Sequence, residues 1–241
     1  MKQNDYKLQN KKRGLMKIKK INDITIYYKD EKFLKIIDDL ENLKVEKVFK
    51  DDNRSKVSLF TFEGEKLVFK VPREKNSRKW QRFLSVFRSS ESYREFIQAE
   101  KIYKAGLLTY RPILAFEKRK YGFVVDSYFI CEYLSGETGS IKHLELIKKE
   151  LDKVHQSGYL HGDSQLVNFI IDKKHVYVID SKFSKNKYGK FGEKYEYIYL
   201  EESCPKDIEY EKNDIYYRGA KSLNNFLHWW GKVRKNLKNW W

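Results

Sequence analysis

Residues 160–180 read LHGDSQLVNFIIDKKHVYVID. A polar triplet, His161-Gly162-Asp163, stands directly before a mostly apolar run. Asn168 follows Asp163 by five positions, and Asp180 closes the alternating stretch HVYVID. The pattern predicts two short strands, near 169–171 and 176–179, joined by the turn DKKH. Acids and an amide at the edges of such strands have a chemical use. Phosphoryl transfer needs an acceptor oxygen positioned, a metal held, and phosphate charge neutralised. An Asp near the acceptor hydroxyl orients it and accepts its proton. An amide at the far end of the same loop reaches a metal on the phosphates, and an Asp ending the neighbouring strand supplies a second ligand. The spacing His-x-Asp-x-x-x-x-Asn, with Asp about a dozen residues on, meets these needs. Here the residues are His161, Asp163, Asn168 and Asp180. The bland alternative is a polar turn with Asn168 as turn former and Asp180 as cap. The flanking strands count against it. His161 and His155 are read as braces of the loop, since a lone His beside a core is usually structural.

The chain of 241 residues is long enough for one large domain or two lobes sharing one cleft. Three Pro and twelve Gly argue against a low-complexity chain. Cys131 and Cys204 have no metal-ligand spacing, which suits a reducing compartment. The N-terminal stretch lacks an apolar core like that of a leader, and no apolar run reaches membrane-spanning length. The expectation is a soluble protein, cytoplasmic or peripherally bound to a membrane. Net charge is +16 and uneven. Residues 1–20 carry eight basic side chains against one acid, residues 70–94 eight against two, and residues 212–241 seven against one. Segments of this kind suit anionic partners such as a membrane surface or a phosphorylated glycolipid. Charge and aromatic content are all that would support nucleic acid, and no recognition motif accompanies them.

Upstream, residues 1–20 read as a basic arm and INDITIYYKD (21–30) as a weakly alternating strand. EKFLKIIDDLENL (31–43) has helical apolar spacing. Three strand-like segments follow at 44–50, 56–63 and 66–72, separated by DDNRS and GE as in an antiparallel meander. A charged helical region ends in SYREFIQAEKIYKAG, with Gly106 as its stop. YGFVVDSYFICEYLSG reads as two further strands. HLELIKKELDKVHQSG is a helix stopped by Gly158, a polar loop follows Asp180, and 213–241 is a long aromatic helix. In that last helix Tyr216, Ala220, Leu223, Leu227, Trp230, Leu237 and Trp241 form an apolar stripe beside Lys and Arg residues. The fold class expected is α+β: a basic arm 1–20, a β-rich lobe 21–135 and a mostly helical lobe 136–241.

VHQSGYLHGDSQLVNF followed by VYVIDSKF resembles the catalytic and metal-binding segments of the protein-kinase-like superfamily. Gly162 stands where eukaryotic protein kinases have Arg. That HGD form is similar to small-molecule, Rio-type and lipopolysaccharide kinases. The resemblance implies a bilobal kinase fold with Asp163 as catalytic base and Asn168 and Asp180 as ligands of Mg²⁺. It implies that Lys70, in the strand KLVFKVP, contacts the α- and β-phosphates of ATP. Its partner would be Glu95 in YREFIQAEKIYKAG, with Glu100 as the alternative. FICEYLSG looks like the hinge: Cys131 as gatekeeper, and the Glu132 carbonyl and Leu134 N–H on the adenine edge.

There are departures from the protein-kinase pattern. The hairpin FKDDNRSKV lacks a Gly-rich phosphate loop, Ser181-Lys182-Phe183 follows Asp180, and no Ala-Pro-Glu segment occurs. They count against a conventional protein kinase. The EYLSG hinge, GDSQLVNFII and the basic, aromatic C-terminal end resemble the lipopolysaccharide core heptose(II) kinases of Gram-negative bacteria. That family would imply ATP-dependent phosphorylation of a heptose hydroxyl on a lipopolysaccharide core acceptor at an anionic inner-membrane surface. Another small-molecule or Rio-type kinase, or a non-enzymatic kinase-like membrane scaffold, are the alternatives. The complete set Lys70, Asp163, Asn168 and Asp180 counts against the scaffold.

Overall fold

The computed structural model describes residues 15–73, 85–86 and 88–238. Residues 1–14, the basic stretch 74–84, Trp240 and Trp241 lie outside them. The chain divides into two compact units, Met1–Tyr103 with Thr109–Ser135, and Lys104–Leu108 with Gly136–Trp241.

The first unit contains β1 (Lys17–Ile21), β2 (Ile24–Tyr28), α1 (Lys35–Asp38), β3 (Val45–Asp51), β4 (Lys56–Phe62) and β5 (Glu65–Val71). It continues with α2 (Glu91–Lys104), β6 (Pro112–Lys120) and β7 (Phe123–Glu132). The strands form one antiparallel sheet in the order β1-β2-β6-β7-β5-β4-β3. The segment 31–42 closes one face, burying Phe33 and Ile36 against Ile26, Phe60, Leu67, Leu114 and Ile130. Phe33 and Phe60 are each 1% exposed, and full burial of such a ring stabilises by about 1.5–3 kcal/mol. The expected meander corresponds to β3, β4 and β5.

Three expectations need correction here. The arm expected over 1–20 becomes strand from Lys17, paired to β2 along an edge where all five residues are exposed. Its lysines suit an edge that must not recruit another strand. The single helix expected over 31–43 is three short pieces, with α1 ending at Asp38. Asp38 and Asp39 put negative charge at a helix C-terminus, where the macrodipole opposes it. Residues 121–136 hold one long strand rather than two, and its partner is β6, which sequence reading passed over. PILAF is buried on both faces and so does not alternate, and Pro112 is tolerated as the first residue of its strand. The turn between them uses Tyr121 and Gly122, both at positive φ (52° and 82°), the geometry of a tight hairpin without the usual Asn-Gly signal.

The second unit contains β8 (Glu137–Thr138), α3 (Leu144–Gln156), β9 (Tyr159–Leu160), β10 (Phe169–Asp172) and β11 (His175–Val178). Then come β12 (Ser184–Lys185), α4 (Lys190–Glu202) and α5 (Ile215–Lys238). α3 buries Ile147, Leu151 and Val154, one face at helical spacing. β10 and β11 form the expected hairpin, flanked by β8. The polar loop expected after Asp180 is α4 from Lys190 onward. Gly192 and Glu196 occupy buried positions of that helix, so its apolar period is broken in the sequence. α5 covers most of the expected helix, but of the described stripe residues only Ala220 is buried. The helix seats instead through Ala220 and Asn224, whose amide binds Glu202, as does His228 Nε2 at 3.1 Å. Leu223, Phe226, Leu227, Trp229 and Trp230 remain exposed. Among the described residues no helix is long and apolar enough to cross a membrane. Both cysteines, Cys131 and Cys204, are buried, and neither is in a disulfide. The α+β class expected from the sequence is the class observed, β-rich in the first unit and mostly helical in the second.

Candidate active site

In the first unit Lys70 sits on β5, hydrogen-bonded between β4 and β7, with Val57 and Phe129 as its register partners. Its Nζ lies 3.6 Å from Glu95 Oε2 on α2 and 5.4 Å from the Tyr110 ring centroid. Glu100 pairs elsewhere, 2.7 Å from Lys29 Nζ. Five helical positions turn a side chain by about 140°, so one helix presents these two glutamates to different strands. Glu95→Gln is therefore expected to impair phosphate transfer much more than Glu100→Gln in a steady-state assay. The reverse order would assign Lys70 the wrong partner.

β7 leads into the segment 132–134. The Glu132 N–H donates to the Arg111 carbonyl at 2.9 Å, and the Tyr133 N–H to the Lys66 carbonyl at 3.0 Å. Neither is the group that the resemblance assigns to adenine. Cys131 is 2% exposed, a small apolar wall rather than a reactive thiol. Phe49 of β3 stacks on Tyr133, with centroids 6.0 Å apart. Where a Gly-rich loop is missing, Asp52 Oδ1 accepts the N–H groups of Arg54 and Ser55, each at 2.8 Å. A side chain closes this turn in place of glycine backbone.

In the second unit the loop after β9 carries His161, Gly162 and Asp163. Gly162 has φ 82°, and a Cβ there would sit 2.8 Å from the Lys182 Cβ. Glycine is required by both backbone and space. Glu196 of α4, 4% exposed, holds this loop from below. Its carboxylate accepts the N–H of His161 at 2.9 Å and that of Gly162 at 2.5 Å, and lies 2.9 Å from His155 Nε2. Ser164 Oγ donates to the Glu196 carbonyl at 2.7 Å. On the other side the His161 carbonyl accepts from Ser181 Oγ (2.6 Å) and the Lys182 N–H (2.9 Å). The His161 ring is buried, and burial holds its pKa below the ordinary imidazole value. Neutral His161 takes the Asp163 N–H on Nδ1 at 3.3 Å. Both histidines therefore brace the loop.

Asp163 itself is half-buried, and its Oδ1 is shielded from solvent with no hydrogen-bond partner among the described residues. Buried polar atoms are normally satisfied, so an unpartnered carboxylate oxygen on so firmly held a loop marks a candidate functional group. Asn168 Nδ2 donates to the Asp163 carbonyl at 2.8 Å, so the amide oxygen is the atom of this side chain with which it could hold a metal. The Ile179 N–H donates to the Asn168 carbonyl at 3.0 Å, tying the start of β10 to the end of β11. Asp180 follows in the left-handed region, φ 49°. A non-glycine residue held there costs free energy and is concentrated at functional sites. Asp163, Asn168 and Asp180 are thus positioned by one backbone network. Glu196, its buried anchor, went unrecognised in the sequence. Its signal was present as an acid inside the aromatic period YEYIYLEE.

A family model described as lipopolysaccharide core biosynthesis protein (WaaY) matches residues 15–227. The lipopolysaccharide core heptose(II) kinase WaaY of Escherichia coli strain K12 is 29% identical over 172 residues, 67% of this chain and 74% of that protein. A second Escherichia coli protein of the same name is 30% identical over 168 residues, 65% of this chain and 73% of that protein. Among solved structures, WaaP in complex with acyl carrier protein aligns over 83% of this chain and 91% of that one. Its identity is 14% and its TM-score 0.49.

Proposed function

The chain belongs to the WaaY family of lipopolysaccharide core biosynthesis proteins, and from that membership we propose how its residues divide the work of a heptose kinase. The reaction is transfer of a phosphoryl group to a sugar hydroxyl of the lipopolysaccharide core. ATP is the donor in this reading. The first unit is its nucleotide lobe, with Lys70 on the α- and β-phosphates, Glu95 holding Lys70, and the Glu132 carbonyl and Leu134 N–H on the adenine edge. The second unit is the catalytic lobe. Asp163 orients the heptose hydroxyl and takes its proton as the oxygen attacks the γ-phosphorus.

Asn168 and Asp180 offer one neutral and one anionic oxygen, a donor set suited to Mg²⁺. Among the described residues no group of three or more His, Cys, Asp or Glu forms a self-sufficient metal cage. Such an ion would be completed by substrate phosphates and would neutralise charge on the transferring group. The observation that carries the reading is the unpartnered Asp163 oxygen on a loop fixed by Glu196 and Asn168. The test is incubation with ATP, Mg²⁺ and core lipopolysaccharide lacking the heptose phosphate, followed by mass spectrometry. A new phosphate on a heptose is expected. Nucleotide turnover with phosphate on another acceptor would redirect the assignment.

The acceptor is a membrane glycolipid, and α5 offers a means of reaching it. Leu223, Phe226, Leu227, Trp229 and Trp230 are exposed, and Lys232, Arg234 and Lys235 follow. We infer that this face docks on the anionic surface of the inner membrane. Trp favours the membrane interface, and each Lys or Arg near an anionic surface adds about 1 kcal/mol. Trp229→Ser with Trp230→Ser should weaken binding to phosphatidylglycerol vesicles and slow transfer to vesicle-embedded acceptor, with ATP affinity unchanged. Vesicle binding equal to that of the parent protein at low salt would remove the docking role.

A further inference from the structure

An open groove of about 470 Å³ lies beside Asp163, wholly within the second unit. Its volume is within the rough range of small-molecule sites, ~300–1,000 Å³. Gly162, Asp163 and Ser164 line it from the loop, and Tyr188, Phe191, Tyr195 and Tyr199 from the α4 side. Lys182 and Leu223 of α5 complete two of its edges. None of Lys70, Glu95, Glu132, Leu134, Asn168 or Asp180 lines it. The groove touches the base and none of the groups assigned to nucleotide or metal.

We propose that this groove is the acceptor subsite, in which a pyranose ring of the core stacks on the Phe191–Tyr195–Tyr199 ladder with its hydroxyl at Asp163. The proposal rests on the reading of Asp163 as base.

Phe191, Tyr195 and Tyr199 recur every fourth residue, so their rings follow one face of α4. The Tyr195 and Tyr199 rings are stacked with centroids 5.8 Å apart. Ring faces carry partial negative charge, which suits the C–H groups on the apolar face of a sugar. Two glycines bring this ladder close. At Gly192 a Cβ would lie 2.9 Å from Leu160 Cδ1, so α4 can press against β9 just before the catalytic loop. At Gly219 a Cβ would lie 3.3 Å from the Phe191 ring, so α5 backs that ring closely. Lys182 is exposed beside Gly162 and places a cation where an anionic substituent on a neighbouring sugar would fall. Leu223 belongs both to the groove and to the exposed face of α5. A sugar in the groove is therefore joined to the surface assigned to the lipid, as a membrane-anchored acceptor requires.

The test measures KM for vesicle-embedded core lipopolysaccharide at saturating Mg-ATP, and KM for ATP at saturating acceptor. Tyr195→Ala should raise the acceptor KM roughly three- to tenfold, the worth of one stacking ring, and leave the ATP KM within about twofold. Tyr188→Ala, at a residue 69% exposed, should act in the same direction without threatening the fold. It decides the matter if Tyr195→Ala does not fold. Asp163→Ala is run alongside. Undiminished transfer by Asp163→Ala would remove the kinase reading itself. Lost transfer there, with parental acceptor KM in the tyrosine variants, would overturn the groove alone. A raised ATP KM in those variants would make the groove a nucleotide site and also overturn it.

Discussion

Asp163→Ala lowers phosphate transfer by a factor on the order of 10²–10⁴, the usual contribution of a positioned general base. Nucleotide affinity in the same variant stays close to that of the parent protein. The two outcomes separate because Asp163 is assigned to the acceptor, whereas Asn168 and Asp180 are assigned to the metal on the phosphates. The loop survives the substitution, since its anchors are backbone groups. The His161 and Gly162 N–H groups bind Glu196, and the Asp163 carbonyl binds Asn168 Nδ2. Removing the carboxylate also deletes a buried oxygen that has no partner among the described residues, so folding is not penalised. Transfer followed by mass spectrometry and ATP binding followed by calorimetry give the two readouts. Full activity would strip this loop of its catalytic assignment. Loss of nucleotide binding in step with activity would place Asp163 on the donor side.

Glu196→Ala strikes the same site through stability. The carboxylate is buried and meets two backbone N–H groups and the His155 ring. Alanine leaves these donors without their acceptor. Breaking such a buried, hydrogen-bonded arrangement from one side costs roughly 3–5 kcal/mol. That is a large share of the stability of an ordinary domain, about 5–15 kcal/mol. The variant should unfold at much lower denaturant, and the folded fraction should transfer phosphate poorly because the Asp163 loop has lost its floor. Glu196→Gln should fall between, since one oxygen still accepts while the amide turns donors toward donors. A denaturation midpoint unchanged in Glu196→Ala would mean that the loop is held by its other contacts, chiefly Ser181 and Lys182 on the His161 carbonyl.

What the sequence made legible follows from where the signal is local. His161, Asp163, Asn168 and Asp180 lie within twenty positions, and their spacing reflects one loop and one hairpin. β4 alternates and is set off from β3 and β5 by turn residues, and α3 carries a helical apolar period. The elements missed have signals that depend on tertiary partners. β6 is buried on both faces and so has no alternation to read. β1 is strand only because β2 pairs with it. α4 hides its period behind a buried glycine that admits Leu160 and a buried glutamate that serves backbone 34 residues upstream. The fate of the α5 stripe was also beyond the sequence. Periodicity marks an apolar face, but the residues that seat this helix are Ala220 and Asn224. The aromatic ladder beside Asp163 lies on α4, so its signal is hidden with that of the helix.

Both thiols of this protein, Cys131 and Cys204, are shut inside it, 2% and 9% exposed. In labelling terms the surface is blank: a maleimide meets no native competitor on the folded chain. Lys187→Cys, next to the groove residue Tyr188, would then supply one reactive centre. A fluorophore attached there would report occupancy by its emission, with or without turnover. Binding of the acceptor could be followed on a protein disabled at Asp163, uncoupling recognition of the glycolipid from the reaction performed on it.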